Sequence, residues 1–115
     1  NERYVAPAVA RLPAAQVPKL ELKWAFGFPG ASRARSQPTY AGGAVFVGSQ
    51  DGTVYALDLA SGCVRWAFRA GAEVRNAPSI EPWKKGDRRA NPRAFFGDLE
   101  GHVYAVEAFT GKLLW

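Results

Sequence analysis

Residues 46–66, FVGSQDGTVYALDLASGCVRW, return 49 positions later and without a gap as residues 95–115, FFGDLEGHVYAVEAFTGKLLW. Phe46, Gly48, Gly52, Val54, Tyr55, Ala56, Gly62 and Trp66 recur unchanged as Phe95, Gly97, Gly101, Val103, Tyr104, Ala105, Gly111 and Trp115. Where identity is lost, character is kept: Asp51, Leu57, Asp58, Ser61 and Val64 are answered by Glu100, Val106, Glu107, Thr110 and Leu113. Units this short cannot bury both of their own faces, so each must be covered by its neighbour.

A period of about 40 to 50 residues built from short strands is that of a β-propeller blade. Upstream, residues 20–28 alternate apolar and polar, with Leu20, Leu22, Trp24, Phe26 and Phe28 on one side as in a half-buried strand. Trp24 thus opens a tryptophan series continued by Trp66 and Trp115, at intervals of 42 and 49 residues. The inequality lies in loops: Pro38 to Gly48 is 10 residues and Pro78 to Gly97 is 19, a gain centred on the basic run PWKKGDRRANPR. Stacked repeats tolerate length changes of that kind.

The complete unit reads as strands 37–41, 44–48, 53–58 and 64–68, with Gly42-Gly43 and Asp51-Gly52 as hairpin turns. The second offers 77–80, 93–96, 102–107 and 112–115. The expected architecture is therefore all-β. An extended lead-in over 1–19, with at most one helical turn near 14–17, precedes a partial β-propeller over 20–115. That propeller comprises an outer strand (20–28), a four-stranded antiparallel blade (37–68) and a nearly complete blade (77–115).

Composition excludes several function classes. A net charge of +5 could mark an anionic partner, but much of the excess sits in Lys84, Lys85, Arg88, Arg89 and Arg93, within one loop expected to be solvated. Only Trp83 accompanies that run, so the interleaved aromatics of a nucleic-acid surface are missing. Cys63, the single cysteine, allows neither a disulfide nor a Cys-rich zinc site within the chain. No apolar run of about 18 residues and no basic-then-apolar leader is present, so neither a membrane span nor a signal peptide is read here. Asp51, Asp58, Asp98, Glu100 and Glu107 sit at or beside repeat-matched turns and are expected to serve turn chemistry, without the spacing of a calcium loop. His102 is expected on a strand surface, and Tyr55 and Tyr104 as matched core or seam aromatics.

The duplicated segment contains A-x-D-x-x-S-G-x-x-x-W at 56–66 and A-x-E-x-x-T-G-x-x-x-W at 105–115. The alanine leaves room for an indole, the acid and hydroxyl tie the turn, and the glycine supplies positive φ. These runs resemble the tryptophan-docking motif of the quinoprotein dehydrogenases, the propellers that bind pyrroloquinoline quinone (PQQ). Together with LKWAFGFPGASRARSQPT in the lead-in, they are most similar to the polyvinyl alcohol dehydrogenase-like members.

The resemblance implies a whole propeller of up to about eight blades. It would oxidise alcohol groups with PQQ and calcium, pass electrons to a cytochrome c, and lie in the periplasm or outside the cell. The cofactor of such propellers lies over the axis, near the starts of the innermost strands, which points to Arg35 and Gln37 from one blade and Arg75 and Asn76 from the next. Arg35 and Arg75 each stand three residues before a matched proline, and a guanidinium pairs a carboxylate bidentately. They read equally as ordinary exposed loop arginines. The family's vicinal cysteine pair has no counterpart near residues 76–79, and Arg35 stands where relatives carry Glu. No catalytic base or calcium ligand is assigned here. The isolated chain is expected to be inactive, its open sheet edges inviting further blades or self-association. The alternative reading is a non-enzymatic propeller serving as a scaffold for cell-envelope assembly.

Overall fold

The computed structural model describes residues 5–84, 86–87 and 90–115. Two antiparallel meanders account for the strands. The first runs β1 (Thr39–Ala41), β2 (Ala44–Gly48), β3 (Thr53–Asp58) and β4 (Val64–Arg69) in sequential order. The second runs β5 (Ser79–Ile80), β6 (Arg93–Gly97) and β7 (Val103–Glu107). The 49-residue echo survives as register, since Phe46 faces Ala56 in the first sheet and Phe95 faces Ala105 in the second. The β1–β2 turn works as the glycine pair demands, with φ of 56° at Gly42 and 72° at Gly43, the signs a two-residue hairpin needs.

Alternation along β2 and β3 explains the layering. Ala44, Phe46, Val54 and Ala56 point one way and join Trp66, Ala94, Phe96, Val106 and Ala108 in a core shared by the two sheets. Val47, Tyr55 and Leu57 point the other way and are covered by Trp24, Phe26 and Phe28. The first sheet is thus buried on both faces, whereas the second carries exposed Val103, Leu113 and Trp115.

Several elements differ from the sequence expectation: β1 and β5 begin at Thr39 and Ser79, two residues later than the expected 37 and 77, after Pro38 and Pro78, which have no amide hydrogen to give a ladder. Residues 20–28 form no strand, although Trp24, Phe26 and Phe28 are half-buried in the expected alternation. Side-chain periodicity is set by what the segment packs on, but a strand also needs a hydrogen-bonding neighbour, and none pairs with this segment. Residues 112–115 form no regular strand either, although a Val106–Leu113 bridge and backbone bonds to Ala105 and Glu107 hold them along β7. In the lead-in, α1 (Pro7–Ala10) precedes a 3-10 turn (Ala14–Lys19), so two alanine-rich pieces are helical where at most one turn was expected.

Between units, Trp24 and Trp66 each sit on the next unit's turn. Trp24 Nε1 donates to the Leu59 carbonyl at 3.0 Å, and Trp66 Nε1 to that of Ala108 at 3.0 Å. The indole faces lie over Gly62 and Gly111, where an added Cβ would come within 2.7 Å of Trp24 Cδ2 and Trp66 Cδ2 respectively. Both glycines have φ of 73°, so backbone conformation and close approach demand the same residue. The turns are tied as the motif implied: Asp58 Oδ1 accepts from the amides of Ala60 and Ser61 and from Ser61 Oγ, and Glu107 Oε2 accepts from Thr110 Oγ1.

Candidate functional site

The loops that lead into the innermost strands β1 and β5 lie at the end of the sheets opposite the Gly42-Gly43 hairpin. The second of these loops is pinned on both sides. The Val74 amide donates to Ser49 O at 3.2 Å, the Leu99 amide donates to Glu73 O at 3.1 Å, and Val74 itself is 1% exposed. An anchored apolar residue between two polar ones turns its neighbours outward, and Arg75 is exposed beside it.

Glu73 organises the charges here. Its Oε2 lies 2.8 Å from an Arg75 guanidinium nitrogen, with the carboxylate side chain 12% exposed and the arginine 40%. The hydrogen bond from Arg75 holds the Glu73 carboxyl below its usual range, against the opposing effect of burial, and the positive charges of Arg75, Arg33 and Arg35 add to it. Arg75 is thus the direct partner of Glu73, and the charges of Arg33 and Arg35 act on the same carboxylate from further away. Sequence reasoning paired Arg35 with Arg75 but missed Glu73. The available signal was positional: counted back from Pro38 and Pro78, Glu73 matches Arg33, an acid standing where its repeat carries a base.

Asn76 and Gln37 fare differently. Asn76 Oδ1 accepts from the Gly97 amide at 3.2 Å, its Nδ2 donates to Ala77 O at 3.4 Å, and its main-chain oxygen accepts from Ser36 Oγ at 2.9 Å. Its side-chain carbonyl thus serves the fold. Gln37 is exposed at the mouth of the first loop. Arg75 and Asn76, with Gly97, Asp98 and Leu99, line a cleft of about 300 Å³. A wider hollow of about 480 Å³ lies at the hairpin end, between Tyr40, Gly42, Gly43, Pro82, Trp83 and Gly86. Trp83 packs edge-on against Phe109 there, which puts this part of the inserted loop at the end away from the arginines. The solvated stretch expected at Lys85, Arg88 and Arg89 lies outside the described residues.

Asp51 and Asp98 are engaged in turns, while Glu81 pairs with Arg93. Asp51 accepts from Thr53 through its amide and hydroxyl, each at 3.0 Å. Asp98, whose side chain is 0% exposed, accepts from the amides of Glu100 and His102, from Tyr104 Oη at 2.8 Å, and faces His102 Nδ1 at 3.2 Å. Burial pushes its carboxyl up, but those hydrogen bonds outweigh it and hold it at about 2. Tyr104 Oη also accepts from the Gly71 amide at 2.9 Å, so this tyrosine joins the two sheets. Among the described residues, no group of three or more His, Cys, Asp or Glu side chains is placed to hold a metal ion.

Sheets stacked face to face, locked by a tryptophan from each unit to the next, define these residues as adjoining blades of a β-propeller. The model of the PQQ_2 repeat family, described as "Outer membrane protein assembly factor BamB", matches residues 21–115, and the chain belongs to that family. Polyvinylalcohol dehydrogenase of Sphingopyxis sp. (strain 113P3) is 40% identical over 104 residues, covering 90% of this chain and 15% of the relative. The dehydrogenase subunit of an alcohol dehydrogenase (quinone) from Gluconobacter oxydans (strain 621H) is 25% identical over 101 residues, 86% of this chain and 13% of the relative. Among solved structures, a europium-containing methanol dehydrogenase superposes with a TM-score of 0.54 at 23% identity, over 69% of this chain and 14% of that one. The chain spans about 15% of the length of the curated polyvinylalcohol dehydrogenases it matches.

Proposed function

We propose that these blades belong to a PQQ-dependent alcohol dehydrogenase of the polyvinyl alcohol-oxidising type, and that their arginine loops form part of the cofactor's anion-binding wall. The observation that carries this reading is the Arg75–Glu73 ion pair at one end of the inner strands, beside the exposed loop of Arg33 and Arg35, which Ser36 bonds to Asn76. Arg33, Arg35 and Arg75 are exposed and suited to the carboxylates of PQQ, and Arg75 spends one guanidinium nitrogen on Glu73 while keeping 40% of its side chain exposed. Arg35 and Arg75 would hold the cofactor's carboxylates, with Gln37 at the mouth, while Asn76 keeps its neighbouring arginine in place. When bound, PQQ supplies the two-electron acceptor for the alcohol carbon. The catalytic base and calcium ligands would come from other blades, so the isolated chain would be inactive. A cytochrome c as next electron carrier and a periplasmic or extracellular setting complete the proposal. The seating of Trp24 and Trp66 on glycine turns supports treating the two motif copies as tryptophan-docking motifs.

The reading is tested in the protein whose propeller contains these blades by titrating PQQ with calcium at several salt concentrations. Arg35→Ala with Arg75→Ala is expected to weaken binding by about tenfold or more and to flatten its salt dependence. Unchanged affinity in the double variant would remove the arginines from the cofactor site. A second reading, a non-enzymatic envelope scaffold, draws on the description of the matching family model. It predicts no PQQ binding by the parent protein.

A further inference from the structure

Arg35 and Arg75 come from different blades, and nothing in the sheets themselves fixes their separation, because β1 and β5 belong to different sheets. The residues that follow the two arginines supply the missing link. Ser36 Oγ accepts from the Gly48 amide at 3.0 Å and donates across the seam to the Asn76 carbonyl at 2.9 Å. A hydroxyl has one proton, and the Gln37 carbonyl at 3.4 Å is the longer alternative for it. Asn76 Oδ1 in turn accepts from the Gly97 amide at 3.2 Å, the repeat equivalent of Gly48. The residue after each arginine is therefore bonded to the end of its own blade's second strand, and the two are bonded to one another. Three residues further along, Thr39 Oγ1 donates to the Pro78 carbonyl at 2.6 Å and closes a second stitch. Pro78 itself is fully buried, so its carbonyl is a fixed target for that hydroxyl.

We propose that Ser36 is a positioning residue for the anion site, a cross-blade clamp whose bond to Asn76 sets the spacing of Arg35 and Arg75. The role in ligand binding rests on the quinone-cofactor reading above; the clamp itself does not. Serine suits one side because it can accept and donate at once, whereas the carbonyl of asparagine on the other side can only accept. Substituting Ser36→Ala removes both bonds; Thr39 still joins the two inner strands and the Val74 amide still holds the second loop to Ser49, but the loop that carries Arg35 loses its own bonds to Gly48 and to Asn76. Ser36→Thr keeps the hydroxyl.

Two measurements test the clamp. Spin labels at Arg35→Cys and Arg75→Cys, in the protein whose propeller contains these blades with Cys63 and any other free cysteine replaced by Ala, report the distance distribution between the loops. It is expected to broaden or shift with Ser36→Ala and to return with Ser36→Thr. An unchanged distribution in Ser36→Ala overturns the proposal whatever the affinities. In the protein whose propeller contains these blades, Ser36→Ala is expected to weaken PQQ binding about three- to tenfold, with little further loss when added to Arg35→Ala. Losses that multiply fully would show Ser36 acting other than through Arg35, and would overturn the positioning role. A broadened distribution with PQQ affinity indifferent to Arg35, Arg75 and Ser36 would leave the clamp standing and defeat the cofactor reading alone.

Discussion

Replacing Gly111 by alanine tests the seam between the blades at its tightest point. Gly111 has φ of 73° and an added Cβ would lie 2.7 Å from Trp66 Cδ2 and 2.8 Å from Cε3. Two costs combine. A left-handed alanine costs about 1–2 kcal/mol relative to glycine, and forcing a methyl into a packed contact adds about 1–3 kcal/mol as the indole shifts. The indole is not free to yield, because its Nε1 is bonded to the Ala108 carbonyl and its ring lies 5.8 Å from that of Phe46 in the shared core. Gly101 provides the internal control: its φ is 88° but the space around its added Cβ is open, so Gly101→Ala incurs the conformational cost alone. Urea unfolding followed by tryptophan fluorescence should place Gly111→Ala about 2–5 kcal/mol below the parent and Gly101→Ala about 1–2 kcal/mol below it. Equal losses in the two variants would refute the argument that the indole is seated on the glycine.

Trp66→Phe keeps an aromatic ring in the seam but leaves the Ala108 carbonyl without its indole donor, and the same assay should register a loss of about 1–3 kcal/mol. Acid should act through Asp98. Its carboxyl is held at about 2 against an ordinary value of 3.8, so the unfolded chain takes up this proton first as pH falls. The associated stability is fully present above about pH 4 and lost on the way down to about pH 2, a window that unfolding curves at stepped pH would reveal. Tyr104→Phe removes one of the donors holding that carboxylate and strands the Gly71 amide. NMR titration of Asp98 should then show its pKa moving upward, and an unmoved value would remove Tyr104 from the account.

Much of the fold was legible because the repeat carries its own internal control. Matched glycines, hydroxyls and tryptophans 49 residues apart had to occupy equivalent surroundings, and β2, β3, β6 and β7 fall within a residue of the expected bounds. Residues 20–28 show the limit of that inference. Alternation correctly marked Trp24, Phe26 and Phe28 as the covered side, but periodicity reports burial and says nothing of whether a neighbouring strand supplies hydrogen bonds. The site shows the same division. Arg35 and Arg75 could be matched by counting from their prolines, whereas Asn76, a polar loop residue in the sequence, spends its side-chain carbonyl on Gly97.

Sequence alone thus determined the repeating unit, the tryptophan series and the glycine turns that receive it, because those depend on patterns within and between copies. Only the tertiary structure decided that Ser36 bridges to Asn76 and that Tyr104 joins Asp98 to Gly71. Each of these contacts joins residues brought together by the stacking of one blade on the next. Their distances depend on how two separately periodic sheets are docked, and no spacing along the chain encodes that geometry.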